Sequence, residues 1–278
     1  MSTAFPKAGR DAGPFEGGHY WTSDAASYES RVSPVTRQAI EPLLAAIGEL
    51  PGCRLLDVAC GPGNLLAVAN ARGARCTGID LSPAMLVLAA ERSEGLRLIV
   101  HDAADLPFED EAFDAVVCAF GIEQLASPVD TLSKIERVLR PGGALALTVW
   151  MGGPDGHDLM RIAARSFWTY GTGLFGQTHM PIASPLAEAT VLRSLLRATG
   201  FARVRIERHV AVSRHSDTQD ALRVFDRAMS TASRAIEEQP LPARELIRQG
   251  MEASIEALRQ NGEIRLQWPF EIVSARKP

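Results

Sequence analysis

Asp57, Gly61, Gly63, Asp80 and Asp102 are spaced as the polar residues of a small-molecule site would be. Each acid stands at the carboxyl end of a short apolar run: "CRLLDVA" carries Asp57, "ARCTGID" closes on Asp80 and "LRLIVHD" closes on Asp102. A carboxylate there can accept hydrogen bonds from a ligand's hydroxyls or amine. The break at Gly61, Pro62 and Gly63 lets the backbone turn tightly and a ligand approach it, and the helix that follows offers free N–H groups. A dinucleotide fingerprint, G-x-G-x-x-G, would need a third glycine where this chain has Leu66, so that pattern fails as written.

The elements that must position these residues are legible in the punctuation. "FDAVVCAF" and "GALALTVW" follow the three runs above, with helix signals between all five, which predicts a parallel sheet with crossover helices. Ser82-Pro83, Ser127-Pro128 and Ser184-Pro185 each put an N-cap hydroxyl before a proline at the first helical position. Gly73 and Gly200 read as residues just past helix ends. "RVLRPGG" reads as a helix stop, with Arg137 and Arg140 near the negative end of the dipole. Further on, "FARVRIERHVAV" and "IRLQWPFEIVSARK" read as strands. Between them Leu222, Phe225, Met229, Ala232 and Ile236, then Leu246, Ile247, Met251, Ile255 and Leu258, recur at helical spacing.

Composition narrows the function classes. A chain of 278 residues, 46% hydrophobic and 22% charged, can bury a sizeable core. The net charge is −4 with no basic run, which argues against a nucleic-acid partner. The amino-terminal stretch has no apolar core of signal-peptide length, and "GALALTVWMGG" is far short of the roughly 20 residues of a membrane span, so the expectation is a cytoplasmic protein with no membrane partner. Cys53, Cys60, Cys76 and Cys118 lack metal-ligand spacing and read as core residues, so no metal is expected. A homodimer is left open.

The pattern D-x-A-x-G-x-G at Asp57 to Gly63, then "GIDLSPAML", "HDAADLPF", "FDAVVCAF" and "RVLRPGG", resembles the class I S-adenosylmethionine (SAM) dependent methyltransferases related to quinone and natural-product methylation. The resemblance is strong over residues 50 to 150. It implies an α/β, doubly wound, seven-stranded Rossmann-like sheet in the order 3-2-1-4-5-7-6 with a helical cap. The implied units are an N-terminal helical lid (1–48), a SAM-binding core (49–150), a cap insertion (151–183), a helix and strand completing the core (184–212), a helical cap insertion (213–263) and a final strand (264–278).

The resemblance also implies roles. Asp80 would take the ribose hydroxyls, Asp102 and the Ala103 N–H the adenine, and Leu81 and Met85 would sandwich the base. Gly61, Gly63 and the Cys60 backbone would admit the methionine end, with Asp57 and the carbonyls of Ala59 and Phe120 near its ammonium and Tyr28 near its carboxylate. Ala59 stands where a glycine is commoner. His101, by strand alternation, is expected to point away from the site.

The reaction would be an in-line displacement resting on alignment and exclusion of water. Relatives often carry a histidine after strand four, where this chain reads Gly121, Ile122, Glu123, Gln124, so Glu123 is the nearest titratable substitute. His157 and His19 are further catalytic candidates, and His179 lies in the same cap. Phe15, Tyr20, Trp21, Trp150, Phe167, Trp168, Tyr170 and Phe175 give the cap an aromatic inventory. Of these, Tyr20, Trp21, Trp150, Trp168 and Tyr170 are candidates for holding a small aromatic or hydrophobic acceptor. Two alternatives stay open: a SAM-binding protein with changed chemistry, acting as cyclase or regulator, and a dinucleotide-dependent oxidoreductase.

Overall fold

The computed structural model describes residues 25–172, 186 and 188–278. The third serine-proline pair, Ser184-Pro185, lies outside them, as do His19, Tyr20, Trp21, Phe15, Phe175 and His179.

Strands β1 (Arg54–Val58), β2 (Arg75–Asp80), β3 (Arg97–Val100), β4 (Phe113–Ala119) and β5 (Leu139–Trp150) are parallel; β6 (Ala202–His215) and β8 (Glu263–Arg276) complete the sheet. The order is β3-β2-β1-β4-β5-β8-β6, with β8 antiparallel to both neighbours. This is the expected order, with one addition: the two-residue strand β7 (Arg259–Gln260) folds back on the start of β8. Sequential strands reverse direction of travel between β1 and β4, so their carboxyl ends splay into a crevice.

Helices cover both faces because the parallel strands are apolar on both. On one face lie α3 (Ile40–Ile47), α4 (Asn64–Ala71) and α5 (Pro83–Arg92), through Leu43, Leu66 and Leu86. On the other lie α6 (Pro128–Val138) and α8 (Ala189–Ala198), through Leu132, Ile135, Leu192 and Leu196. Ahead of α3 come two short helices, α1 (Ala25–Arg31) and α2 (Ser33–Thr36). After β5 comes α7 (Asp158–Tyr170), and between β6 and β7 come α9 (Thr218–Ala228), α10 (Ser230–Glu237) and α11 (Leu241–Glu256).

Local chemistry explains several boundaries. Pro83 opens α5, and the Ser82 hydroxyl accepts the Met85 N–H at 3.3 Å. Pro128 opens α6, but Ser127 caps no backbone group; its hydroxyl donates to Asp130 at 2.5 Å instead. The stop after α6 falls earlier than the Arg-Pro-Gly-Gly run suggests. The helix ends at Val138, and Arg140 already belongs to β5, paired at 2.7 Å with Asp114 of β4. The first amphipathic pattern after β6 is two helices, because Met229 leaves helical geometry (φ −118°, ψ 46°) between them.

Candidate active site

At the carboxyl ends of β1, β2, β3 and β4 a cavity opens. Cys60 extends the β1 ladder by donating its N–H to the Ile79 carbonyl at 3.0 Å, and the chain then turns through Gly61 and Gly63 into α4. The two glycines serve different ends. Gly61 (φ +52°) lines the cavity with nothing near the place of a Cβ, so its backbone is open to a ligand. Gly63 (φ +72°) faces α5, where a Cβ would come within 2.6 Å of the Ala89 Cβ; it serves helix packing and does not line the cavity.

Asp80 holds the turn from across the crevice. Its Oδ2 accepts the Gly61 N–H at 2.8 Å and its Oδ1 the Ser82 N–H at 2.8 Å, which leaves a lone pair on each oxygen for a ligand with neighbouring hydroxyls. Burial pushes its carboxyl up from the usual range, and the two N–H groups oppose that shift. Asp57 lies behind the turn, only 1% exposed, with its Oδ1 lacking any hydrogen-bond partner. Burial, and then the charge of Asp80, hold its carboxyl well above the ordinary value. Among the described residues neither acid forms an ion pair, so this end of the crevice suits a cationic group.

The other walls follow. Beyond β3, His101, Asp102 and Ala103 line the cavity together with Leu81 and Met85. Asp102 Oδ1 accepts the Ala104 N–H at 2.9 Å, which fixes the loop. His101 departs from the expectation: β3 ends at Val100, strand alternation no longer governs residue 101, and His101 is among the residues that line the cavity. On the β4 side Phe120 stacks on Trp150 with ring centroids 4.0 Å apart, and its N–H donates to the Thr148 hydroxyl at 2.7 Å. Ala59 and Phe120, facing each other across the switch point, both hold left-handed backbone (φ +57°). For residues with a Cβ that costs roughly 1–2 kcal/mol each, and here it aims two carbonyl-bearing turns at one crevice.

Helix α1 closes the amino-terminal side. Tyr28 lines the cavity, its hydroxyl bonded to Thr36, and burial raises its pKa above the ordinary phenol value. The helix is clamped to the glycine turn by a polar network. Glu29 pairs with Arg92 at 2.8 Å and with Arg37; Arg92 Nε donates to the Pro62 carbonyl at 3.1 Å; Asn64 accepts from Arg37 at 2.7 Å and from Arg92.

Of the expected cofactor residues, Tyr28, Ala59, Gly61, Asp80, Leu81, Met85, Asp102, Ala103 and Phe120 line the cavity. Asp57, Cys60 and Gly63 sit behind it. Val32, Val35, Thr36, Gln124, Leu125, Val224, Ala228, Met229 and Trp268 line it too, and sequence reasoning did not single them out.

Among the acceptor and catalytic candidates, Trp150 lines the cavity. Trp168 is 52% exposed and Tyr170 40% exposed, on the outward side of α7; the Tyr170 ring packs over Gly250 of α11, away from the crevice. Glu123 lies beneath Trp150 and accepts its N–H at 3.0 Å; burial pushes its carboxyl up to about 7. His157 is the N-cap of α7, accepting the Met160 N–H at 3.2 Å, and stacks on Trp268 at 4.9 Å. Burial, then Arg161, lowers its pKa to about 4, so it is a neutral capping ring and does not line the cavity. The dinucleotide reading fails structurally as well: Leu66 is packed in the core, where the fingerprint needs a glycine close to its strand. Among the described residues no three His, Cys, Asp or Glu side chains gather as a metal site, and no helix is long and apolar enough to cross a membrane.

A doubly wound sheet with paired acids over a glycine turn at its switch point defines the class I methyltransferase fold. Residues 56–147 match a methyltransferase domain family. The chain is 33% identical over 171 residues to a demethylmenaquinone methyltransferase of Clavibacter sepedonicus, covering 57% of this chain and 69% of that one. Alignments to other curated relatives span 44% to 55% of their length. Among solved structures, the YcgJ protein of Bacillus subtilis superposes with a TM-score of 0.57 at 16% identity, over 86% of this chain and 98% of that one. The cyclase SpnF superposes with a TM-score of 0.53 at 22% identity, over 87% and 81%. The chain belongs to the class I SAM-dependent methyltransferases.

Proposed function

We propose that the protein moves the methyl group of SAM to a small, planar, uncharged acceptor of quinol-like or other aromatic character. The observation that carries this reading is the division of the cavity. Its polar side chains Asp80, Asp102 and His101 stand at one end, and the stacked pair Phe120 and Trp150, with Trp268, Val224 and Met229, stands at the other.

SAM, when bound, supplies an electrophilic methyl on a sulfonium. On this reading Asp80 accepts both ribose hydroxyls, Asp102 and the Ala103 N–H hold the adenine between Leu81 and Met85, and the open backbone at Gly61 admits the methionine end. The carbonyls of Ala59 and Phe120 meet the ammonium, and Asp57, whose buried Oδ1 lacks a partner, attracts it from behind the turn, directly or through water. Tyr28, on α1, reaches the methionine carboxylate. The aromatic walls hold the acceptor in line and keep water out. Glu123 acts through the Trp150 backbone. The match to demethylmenaquinone methyltransferases supports a quinol as the acceptor to try first. Methyl-labelled SAM offered with a panel of quinols and phenols tests this: label should pass to a planar neutral acceptor, and its transfer to none would defeat the reading.

One observation favours a second reading, a SAM-binding protein with changed chemistry. The one carboxyl held near neutrality at the aromatic end among the described residues, Glu123, is taken up by the Trp150 N–H and does not line the cavity, as expected of a site that takes no proton from its substrate. Substrate conversion without loss of the SAM methyl would establish it.

A further inference from the structure

The wall formed by Trp268 is held by a chain of three side chains that the proposed mechanism does not use. Trp268 is 1% exposed and its indole N–H donates to the Ser213 hydroxyl at 2.8 Å. Ser213 stands two residues along β6 from Ala211, the residue paired with Trp268, so the two side chains meet diagonally on one face. The Ser213 hydroxyl lies 2.8 Å from His215 Nε2, and His215 Nδ1 lies 2.8 Å from Asp220 Oδ2.

The direction of these bonds follows from what each group can do. An indole N–H only donates, so Ser213 accepts from it and has its hydrogen and a second lone pair left for the bond with His215 Nε2. The Asp220 carboxylate only accepts, so His215 Nδ1 carries a hydrogen and donates it to Asp220. Asp220 is rooted in the first turn of α9, where its N–H donates to the capping Asp217 carboxylate at 2.7 Å. The same helix carries Val224 and Ala228 to the cavity and leads into Met229. One hydrogen-bonded chain thus ties the indole wall on β8 to the aliphatic wall on α9.

We propose that Ser213, His215 and Asp220 are positioning residues that set the spacing of these two walls and so select a flat acceptor. None of the three lines the cavity; they act through Trp268 and α9. The inference rests on the reading of the aromatic end as the acceptor site, and it adds the residues that fix its width. A planar ligand loses roughly a quarter to a half of its contact energy with a wall that draws back by about 0.5–1 Å, because dispersion falls steeply with separation.

The test uses the full chain loaded with S-adenosylhomocysteine, with naphthoquinone as planar probe. Binding of S-adenosylhomocysteine to the wild-type protein is measured first and judges the cofactor reading alone. The chain is then judged by the indole N–H signal of Trp268, identified by its loss in Trp268→Phe. Ser213→Ala and Asp220→Asn should each shift that signal and speed its exchange with water. Both should weaken naphthoquinone binding by about tenfold, the effect of one buried hydrogen bond, with S-adenosylhomocysteine affinity unchanged. Adding Ser213→Ala to Trp268→Phe should cost nothing further, since the donor is already gone. An unmoved indole signal in Ser213→Ala, equal probe affinity in all variants, or additive losses in the double variant would overturn the proposal.

Discussion

Glu29 of α1 and Arg92 at the end of α5 form an ion pair at 2.8 Å directly over the glycine turn. Arg92 also donates to the Pro62 carbonyl inside that turn, so one guanidinium holds both helix α1 and the loop beneath it. Replacing Arg92 by Ala should weaken S-adenosylhomocysteine binding by about tenfold and speed amide exchange over residues 25–36, the loss expected of a multiply bonded charged group. Calorimetry and hydrogen exchange check this; unchanged values in both would show that α1 is held by its apolar contacts alone.

Glu123 makes stability depend on pH in a stated direction. Its carboxyl is held up to about 7 by burial, against an ordinary value of 4.5. The folded state therefore binds the proton more tightly than the unfolded one. That contribution is fully present below pH 4.5 and is lost as pH rises through about 7, a fall on the order of 3 kcal/mol at most. Glu123→Gln keeps an acceptor for the Trp150 N–H and removes the titration. Urea unfolding from pH 5 to 8 should show the wild type losing stability relative to Glu123→Gln; parallel curves would contradict the assignment.

The two faces of the aromatic inventory separate cleanly. Trp168→Ala should leave acceptor turnover within about twofold of wild type, since an exposed side chain away from the cavity contributes little to it. Trp150→Ala removes the ring stacked on Phe120 and should raise KM for the acceptor by about tenfold or more, with S-adenosylhomocysteine affinity little changed. Equal effects of the two substitutions on KM would place the acceptor elsewhere.

What sequence made legible was whatever depends on local pattern. The carboxylates at the ends of β1, β2 and β3 could be read because strand ends are marked by turn residues and the sheet order follows from alternation. Gly63 could not be told from Gly61, because its reason is a neighbour, Ala89, brought close only by folding. Trp168 and Tyr170 were legible as aromatics on a helix but not as residues of its outer side, since that depends on where α11 packs. Val224, Met229 and Trp268 reach the cavity from elements far along the chain, and periodicity marks them only as core. The Ser213–His215–Asp220 chain left no sequence signal beyond three common polar residues.

The central claim is that the cavity at the β1/β4 switch point binds SAM through Asp80. Calorimetric titration of S-adenosylhomocysteine into the wild-type protein and Asp80→Ala tests it most directly. The account predicts micromolar-scale binding to the wild type. In the variant it predicts a loss of at least about tenfold, because two charge-assisted hydrogen bonds, roughly 1.5–3 kcal/mol each, are removed. Equal affinity in the two proteins would contradict it.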